Sequence, residues 1–174
     1  MNRRTLLQTL ALLPLLPVLR VLANPSEATL HMIDIDFTPL DLDHDFWRDK
    51  VSADAWHILF EEGTEPAGSS PLDDIYDPGT YICAACYLPL FRSDDKYDSK
   101  TGWPSFTQPI EGTMGTKRDF KLIWPRTEYH CARCGGHQGH VFNDGPSPRG
   151  ERWCNNGLAL HFVPANEHLP NLRG

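Results

Sequence analysis

The longest largely apolar run in this 174-residue chain, Leu6–Leu19, is only 14 residues long and is broken by Pro14 and Pro17. That is too short and too broken for a helix to span a bilayer. Basic residues are outnumbered, 16 Lys and Arg against 23 Asp and Glu, for a formal net charge of -7. Such a surface excludes the usual nucleic-acid binder, which must neutralise phosphates with Lys and Arg, and offers nothing to an anionic membrane. No internal repeat longer than a Cys-x-x-Cys unit occurs, and no His-Glu-x-x-His helix motif is present to mark a catalytic metal. Cysteine outside two Cys-x-x-Cys pairs is limited to one residue, Cys154.

The chain opens with Arg3 and Arg4, then the apolar run, then Val21-Leu22-Ala23, which fits small-x-small cleavage. Residues 1–23 therefore read as a signal peptide, of twin-arginine type because the arginines are paired, and a periplasmic location follows. Removing that leader takes away three arginines and no acid, leaving a charge of -10 on about 150 residues, enough for one domain with a proper core. Residues 24–45 read as a solvated acidic arm and 46–174 as the functional domain. Fifteen prolines and thirteen glycines favour short strands joined by turns. Ser52 is positioned to cap a short helix through Trp56 and Leu59 that stops before Gly63. Strands are expected at Tyr81–Cys83, Tyr87–Phe91, Phe120–Trp124, Glu128–Cys131, Val141–Phe142 and Arg152–Phe162. The fold class is mainly β.

Cys83-Ala84-Ala85-Cys86 and Cys131-Ala132-Arg133-Cys134 are two knuckles 44 residues apart. Each can present two thiolates to one metal from a tight turn, and together they make the four-thiolate shell of structural zinc. Gly135 and Gly136 supply the backbone freedom the second turn needs. Disulfides are the alternative in an exported protein; folded-state export would instead let zinc load beforehand. A closed four-thiolate site leaves no open position for catalysis.

Cys154 shares a strand face with Arg152 and Asn156 if Arg152–Phe162 is one strand. A nearby guanidinium favours the thiolate, yet a packed cysteine is an equally good reading of that stretch alone. His137 and His140 follow the second knuckle, and imidazole can hand a proton to an oxygen that must leave. Thr101-Gly102-Trp103-Pro104-Ser105-Phe106 holds an indole at a fixed angle, as a core tryptophan or as a wall for an apolar methyl and sulfur.

Taken in order, Gly63-Thr64-Glu65, Cys83-x-x-Cys86, Gly102-Trp103-Pro104-Ser105-Phe106, Cys131-x-x-Cys134, His137-x-Gly139-His140-Val141-Phe142, Asp144-Gly145-Pro146 and Arg152-Trp153-Cys154-Asn155-Asn156 resemble methionine-R-sulfoxide reductase B. The likeness runs from about Phe46 to Phe162. It implies a β-tent type fold of two antiparallel sheets with short N-terminal helices. It also implies Cys154 as nucleophile, Asn156, His137 and His140 as its catalytic neighbours, and Trp103, Arg152 and Asp144 around the substrate. Cys83, Cys86, Cys131 and Cys134 match a structural Zn2+ site. The implied substrate is methionine-R-sulfoxide in oxidised proteins, turned over by a monomer through a Cys154 sulfenic acid. Where the family often has a resolving cysteine this chain has Thr101, so the expected reductant is an external thioredoxin-like protein. Gly157 in place of Ser and Trp153 in place of Tyr alter pocket detail. Two rivals are a hydrolase whose catalytic zinc is held by His137 and His140, and a non-enzymatic zinc module in which Cys154 is inert.

Overall fold

Ser52 does what its position predicts. In the computed structural model, which describes residues 35–120 and 125–174, its hydroxyl accepts from the Ala55 N–H at 3.1 Å and opens helix α1, Ala53–Glu61. The helix buries Trp56, Ile58, Leu59 and Phe60 and ends at Glu62, which takes a left-handed conformation before Gly63. The leader, the arm up to residue 34 and residues 121–124 of the expected strand Phe120–Trp124 lie outside the described residues; Phe120 itself is exposed. No helix of the described residues is long and apolar enough to cross a membrane.

The described part of the acidic stretch is not uniformly solvated. Its aspartates face water, but Ile35, Phe37 and Leu40 lie against the core, and Trp47, at the end of a 3-10 turn His44–Trp47, is completely buried. The aspartates dominate the composition while the apolar residues between them have no helical or strand period, so only packing reveals them.

Among the described residues nine strands form two antiparallel sheets. The smaller joins β1 (Gly79–Cys83), β2 (Pro89–Arg92) and β9 (Leu160–Pro164) in the order β2-β1-β9. The larger joins β3 (Lys96–Tyr97), β4 (Ser105–Phe106), β5 (Met114–Asp119), β6 (Arg126–Cys131), β7 (His137–Phe142) and β8 (Arg152–Asn155) in the order β3-β4-β8-β7-β6-β5. Aromatic rings fill the core. Phe91 of β2 stacks on Phe106 of β4 at 4.0 Å between ring centres, and Tyr81 of β1 meets Phe106 edge-on at 5.0 Å. Each such ring removes roughly 150–250 Å² from water, worth several kcal/mol at about 25 cal/mol/Å².

The expected single strand from Arg152 to Phe162 is two strands. After Asn155 the chain leaves the large sheet, makes a 3-10 turn at Gly157–Ala159, and joins the small sheet as β9. The cause is Glu65, a buried carboxylate that accepts from the N–H groups of Gly157 at 2.5 Å and Leu158 at 2.9 Å. Those donors are thereby taken from any strand ladder. Arg152 and Cys154 keep a common strand face, but the alternation does not extend to Asn156 and beyond.

Candidate active site

Antiparallel partners directly opposite each other point to the same side of a sheet. Across the large sheet the register sets Tyr97 opposite Ser105, Ser105 opposite Cys154, Cys154 opposite His140, His140 opposite Glu128, and Glu128 opposite Lys117. One transverse row thus carries a phenol, a hydroxyl, a thiol, an imidazole, a carboxylate and an ammonium. The strands must come close to seat it: a Cβ on Gly139 would collide with the Cys154 carbonyl.

His137, three residues before His140, would face the other side of a regular strand. Its register with β6 slips, Tyr129 pairing with Gly139 but His130 with His137, so Gln138 is an extra residue. That bulge brings the two imidazoles to 5.4 Å between ring centres. Both are anchored by acids. His137 Nδ1 lies 2.7 Å from Glu128 Oε1, and both side chains are almost fully buried. His140 Nε2 lies 2.8 Å from Asp119 Oδ2, which also accepts from Arg126 Nη2 at 2.7 Å. A carboxylate can only accept, so the anchored nitrogen carries the proton and each ring offers its other nitrogen to the site. For His137 that nitrogen, Nε2, is buried with no hydrogen-bond partner.

Burial would push Glu128 up, but the nearby His130 ring, the hydrogen bond from His137 and the charge of Lys117 outweigh it and bring its pKa down to about 2. Burial lowers the pKa of His140, against the opposing pull of Asp119. Burial also raises the pKa of Cys154, against the charge of Arg152 and hydrogen bonds from Ser105 and Thr101. At neutral pH the resting pair is thus a thiol and a neutral imidazole. Arg152 is fixed by a two-pronged pair with Asp144, at 2.8 and 2.9 Å, and lies 4.3 Å over the Phe142 ring.

Trp103 is held from two directions. Its indole N–H donates to the Glu65 carbonyl at 3.2 Å, while the next residue, Pro104, accepts from the Asn155 N–H at 2.9 Å. Gly102 before it has φ +84°, a conformation a side chain would strain. Asn156 has both ends of its amide engaged. Its oxygen accepts from the Glu65 N–H at 3.2 Å and its nitrogen donates to the Gln138 carbonyl at 3.0 Å. It therefore ties the Glu65 loop, and with it the indole, to the bulge that sets His137.

The four paired cysteines converge as expected. All are buried, their sulfurs all lie within 4.8 Å of one another, and Cys83–Cys134 and Cys86–Cys131 stand at 3.7 and 3.5 Å. A disulfide needs about 2.05 Å, whereas four sulfurs about 2.3 Å from a tetrahedral ion sit roughly 3.8 Å apart. Burial holds the Cys83 thiol well above its ordinary range, so a thiolate there calls for a cation. The two turns are built alike. Tyr87 N–H donates to Cys83 O and Gly135 N–H to Cys131 O, at 3.0 and 2.9 Å, with Tyr87 and Gly135 both left-handed. Tyr87 has no glycine's freedom there and is braced by Arg173, which stacks on its ring and bonds its hydroxyl at 3.0 Å. Arg173 also donates to the carbonyls of Ala84 and Ala85, while Arg133 from the second knuckle donates to the Arg173 carbonyl. Among the described residues these four cysteines are the only grouping spaced to hold a metal ion, and His137 and His140 are engaged by carboxylates instead.

Glu65, Glu128, Asp119, Ser105 and Gln138 were not assigned roles from the sequence. Glu128 and Ser105 become visible once strand pairing is known, because they stand in the row of Cys154.

A family model described as the SelR domain matches residues 51–164. The chain is 47% identical over 117 residues to a protein of Leptospira interrogans named peptide methionine sulfoxide reductase MsrB, covering 67% of this chain and 89% of that one. It is 46% identical over 119 residues to the Agrobacterium fabrum protein of the same name, covering 68% and 88%. It is 44% identical over 115 residues to an Arabidopsis thaliana protein named peptide methionine sulfoxide reductase B1, chloroplastic, covering 66% and 57%. With the family model matching residues 51–164 and these relatives 44–47% identical, the chain belongs to the methionine-R-sulfoxide reductase B family.

Proposed function

We propose that this protein reduces the R epimer of methionine sulfoxide in oxidised proteins, with Cys154 as nucleophile. The observation that carries this is the cross-strand placement of one thiol directly opposite an imidazole, His140, that is itself fixed by a carboxylate. In the reaction the Cys154 thiol gives up its proton, which passes through the site-facing nitrogens of His140 and His137 to the sulfoxide oxygen as the Cys154 sulfur attacks the sulfoxide sulfur. The substrate sulfur–oxygen bond breaks and the oxygen passes to Cys154, directly or by leaving as water from a transient sulfonium species whose Cys154 sulfur a water then attacks. Methionine leaves, reduced by two electrons, and Cys154 becomes a sulfenic acid, oxidised by two. Trp103 receives the substrate methyl, and Arg152 with Asp144 lines the approach. Asn156 acts through the Glu65 loop, holding that wall in place.

The other four thiols form the metal grouping, and Thr101 stands where a second thiol would serve. A thioredoxin-like donor therefore attacks the sulfenic acid, releases its oxygen as water and restores Cys154 at the cost of two external thiols. The four cysteines would hold zinc, whose contribution is to fix both knuckles and hence the start of β7. The paired arginines and following apolar run support export to the periplasm, where the donor would be an exported thioredoxin-fold protein.

The test is turnover of separated R and S methionine sulfoxides with a small dithiol as reductant. R-specific turnover that disappears in Cys154→Ser, with metal content unchanged, is expected. Turnover of the S epimer, or retained activity in Cys154→Ser, would reject the assignment.

A further inference from the structure

Three hydroxyls cluster beside Cys154. Ser99 Oγ lies 2.8 Å from Thr101 Oγ1 and 2.8 Å from Ser105 Oγ, and Ser105 also reaches the Trp103 carbonyl at 3.1 Å. Ser105 stands directly opposite Cys154 in the β4–β8 register, and Thr101 is joined to it through Ser99, so both hydroxyls act on the Cys154 thiol, lowering its pKa against burial. The loop bearing Ser99 and Thr101 is shaped by two left-handed residues, Lys100 at φ 60° and Gly102 at φ 84°, and by Asp98 accepting from the Lys100 N–H at 2.9 Å.

Each hydroxyl has one proton. Two are spent on the Ser99 links, because Ser99 can donate to only one partner and must accept from the other. One proton remains, leaving the chain through Thr101 toward the sulfur or through Ser105 toward the sulfur or the Trp103 carbonyl. A neutral thiol leaves the Ser105 proton on that carbonyl. An anionic sulfur is a far better acceptor and draws that one remaining proton to itself, from Thr101 or from Ser105, with Ser99 turning to suit.

We propose that Ser99, Thr101 and Ser105 form a hydroxyl cradle that stabilises the anionic sulfur of Cys154, Thr101 and Ser105 by touching it and Ser99 by positioning both. The cradle supplies charge stabilisation in addition to that of Arg152, at a position where burial works against the thiolate. The proposal rests on Cys154 being the reacting thiol. The other groups facing it are Arg152 with its partner Asp144, Tyr97 from β3, and His140 from β7 with Asp119 and Arg126 behind it, while Tyr129 from β6 points to the other side of the sheet, where its hydroxyl donates to Asn155. All of these stay in place when a hydroxyl is removed.

The experiment is the rate of Cys154 alkylation by iodoacetamide as a function of pH, read by peptide mass spectrometry on the metal-loaded full chain. Thr101→Val keeps the shape and removes the donor; Thr101→Ser restores the donor. At pH 7.5 Thr101→Val is expected to react about tenfold more slowly than the parent, the scale of one lost hydrogen bond to a charged group. The two rates should converge at alkaline pH, and Thr101→Ser should recover most of the loss. Ser105→Ala should show the same displaced profile; because Ser105 is fully buried, the partly exposed Thr101 carries the test if that variant fails to fold. A Thr101→Val profile superimposed on the parent's, or a Thr101→Ser variant no faster than Thr101→Val, would overturn the cradle. Alkylation requires no sulfoxide, so a failure here is distinct from a failure of the proposed reductase activity, which the epimer assay reads separately.

Discussion

Replacing Glu128 by Gln keeps the shape of the side chain and removes its charge. The carboxylate is about 2% exposed, bonds His137 Nδ1 at 2.7 Å, and has Lys117 Nζ at 3.5 Å and His130 Nδ1 at 3.7 Å. Its fall from the ordinary 4.5 to about 2 corresponds to about 3 kcal/mol of folded-state stabilisation of the charged form, at about 1.4 kcal/mol per unit. The glutamine oxygen still accepts from His137, so a loss of about 2 kcal/mol is expected at pH 7, or roughly 8 °C in Tm for a domain of this size. The sign with pH follows from the lowered value. Stability from this group is fully present above its unfolded pKa and is lost as pH falls through the folded one. The gap between parent and variant should therefore be constant from pH 8 to about pH 5, and the group's contribution should fall to less than about half by pH 3. Parallel thermal melts across this range make the measurement. A variant melting within about 1 °C of the parent at pH 7, or a gap that widens as pH falls, would refute the reasoning. Turnover should fall as well, because an amide can donate as well as accept and so no longer fixes which His137 nitrogen faces the site with its lone pair.

Stripping the metal should unfold the knuckles and lower stability by on the order of 10 kcal/mol; a chelator-treated protein with an unchanged melt would contradict a structural metal. Arg173→Ala removes bonds to Ala84, Ala85 and Tyr87, so metal transfer to a colorimetric chelator should accelerate at least several-fold while Cys154 alkylation stays as it was. Phe106→Ala, which deletes a fully buried ring stacked on Phe91, should cost about 3–5 kcal/mol in urea unfolding. Fusion of residues 1–45 to a reporter should direct it to the periplasm, and replacing Arg3 and Arg4 by Lys should stop this, as cell fractionation would show.

Local signals in the sequence identified what depends on neighbours along the chain. Ser52 marked the start of α1, the Cys-x-x-Cys spacings marked both knuckles, and Val141–Phe142 and Glu128–Cys131 lay in true strands. What escaped depends on contacts across the chain. The Arg152–Phe162 stretch has no proline or glycine cluster to show that it divides; the division is imposed by the Glu65 carboxylate some ninety residues earlier. The bulge at Gln138 is invisible without the β6 register, and without it His137 and His140 would face opposite sides of a strand. Asn156 could be singled out by its motif, but its partners, the Glu65 N–H and the Gln138 carbonyl, could not. Trp47 was hidden among aspartates for the same reason: burial is decided by the surface it meets.

The proposed cycle requires that Cys154, opposite His140, be the only sulfur that changes oxidation state. The most direct measurement is intact and peptide mass spectrometry of the metal-loaded protein after one equivalent of methionine-R-sulfoxide and no reductant, with a trap for sulfenic acid. The prediction is a single oxygen equivalent trapped on Cys154, with Cys83, Cys86, Cys131 and Cys134 unchanged. A disulfide joining Cys154 to any of those four, or oxidation confined to them, would contradict it.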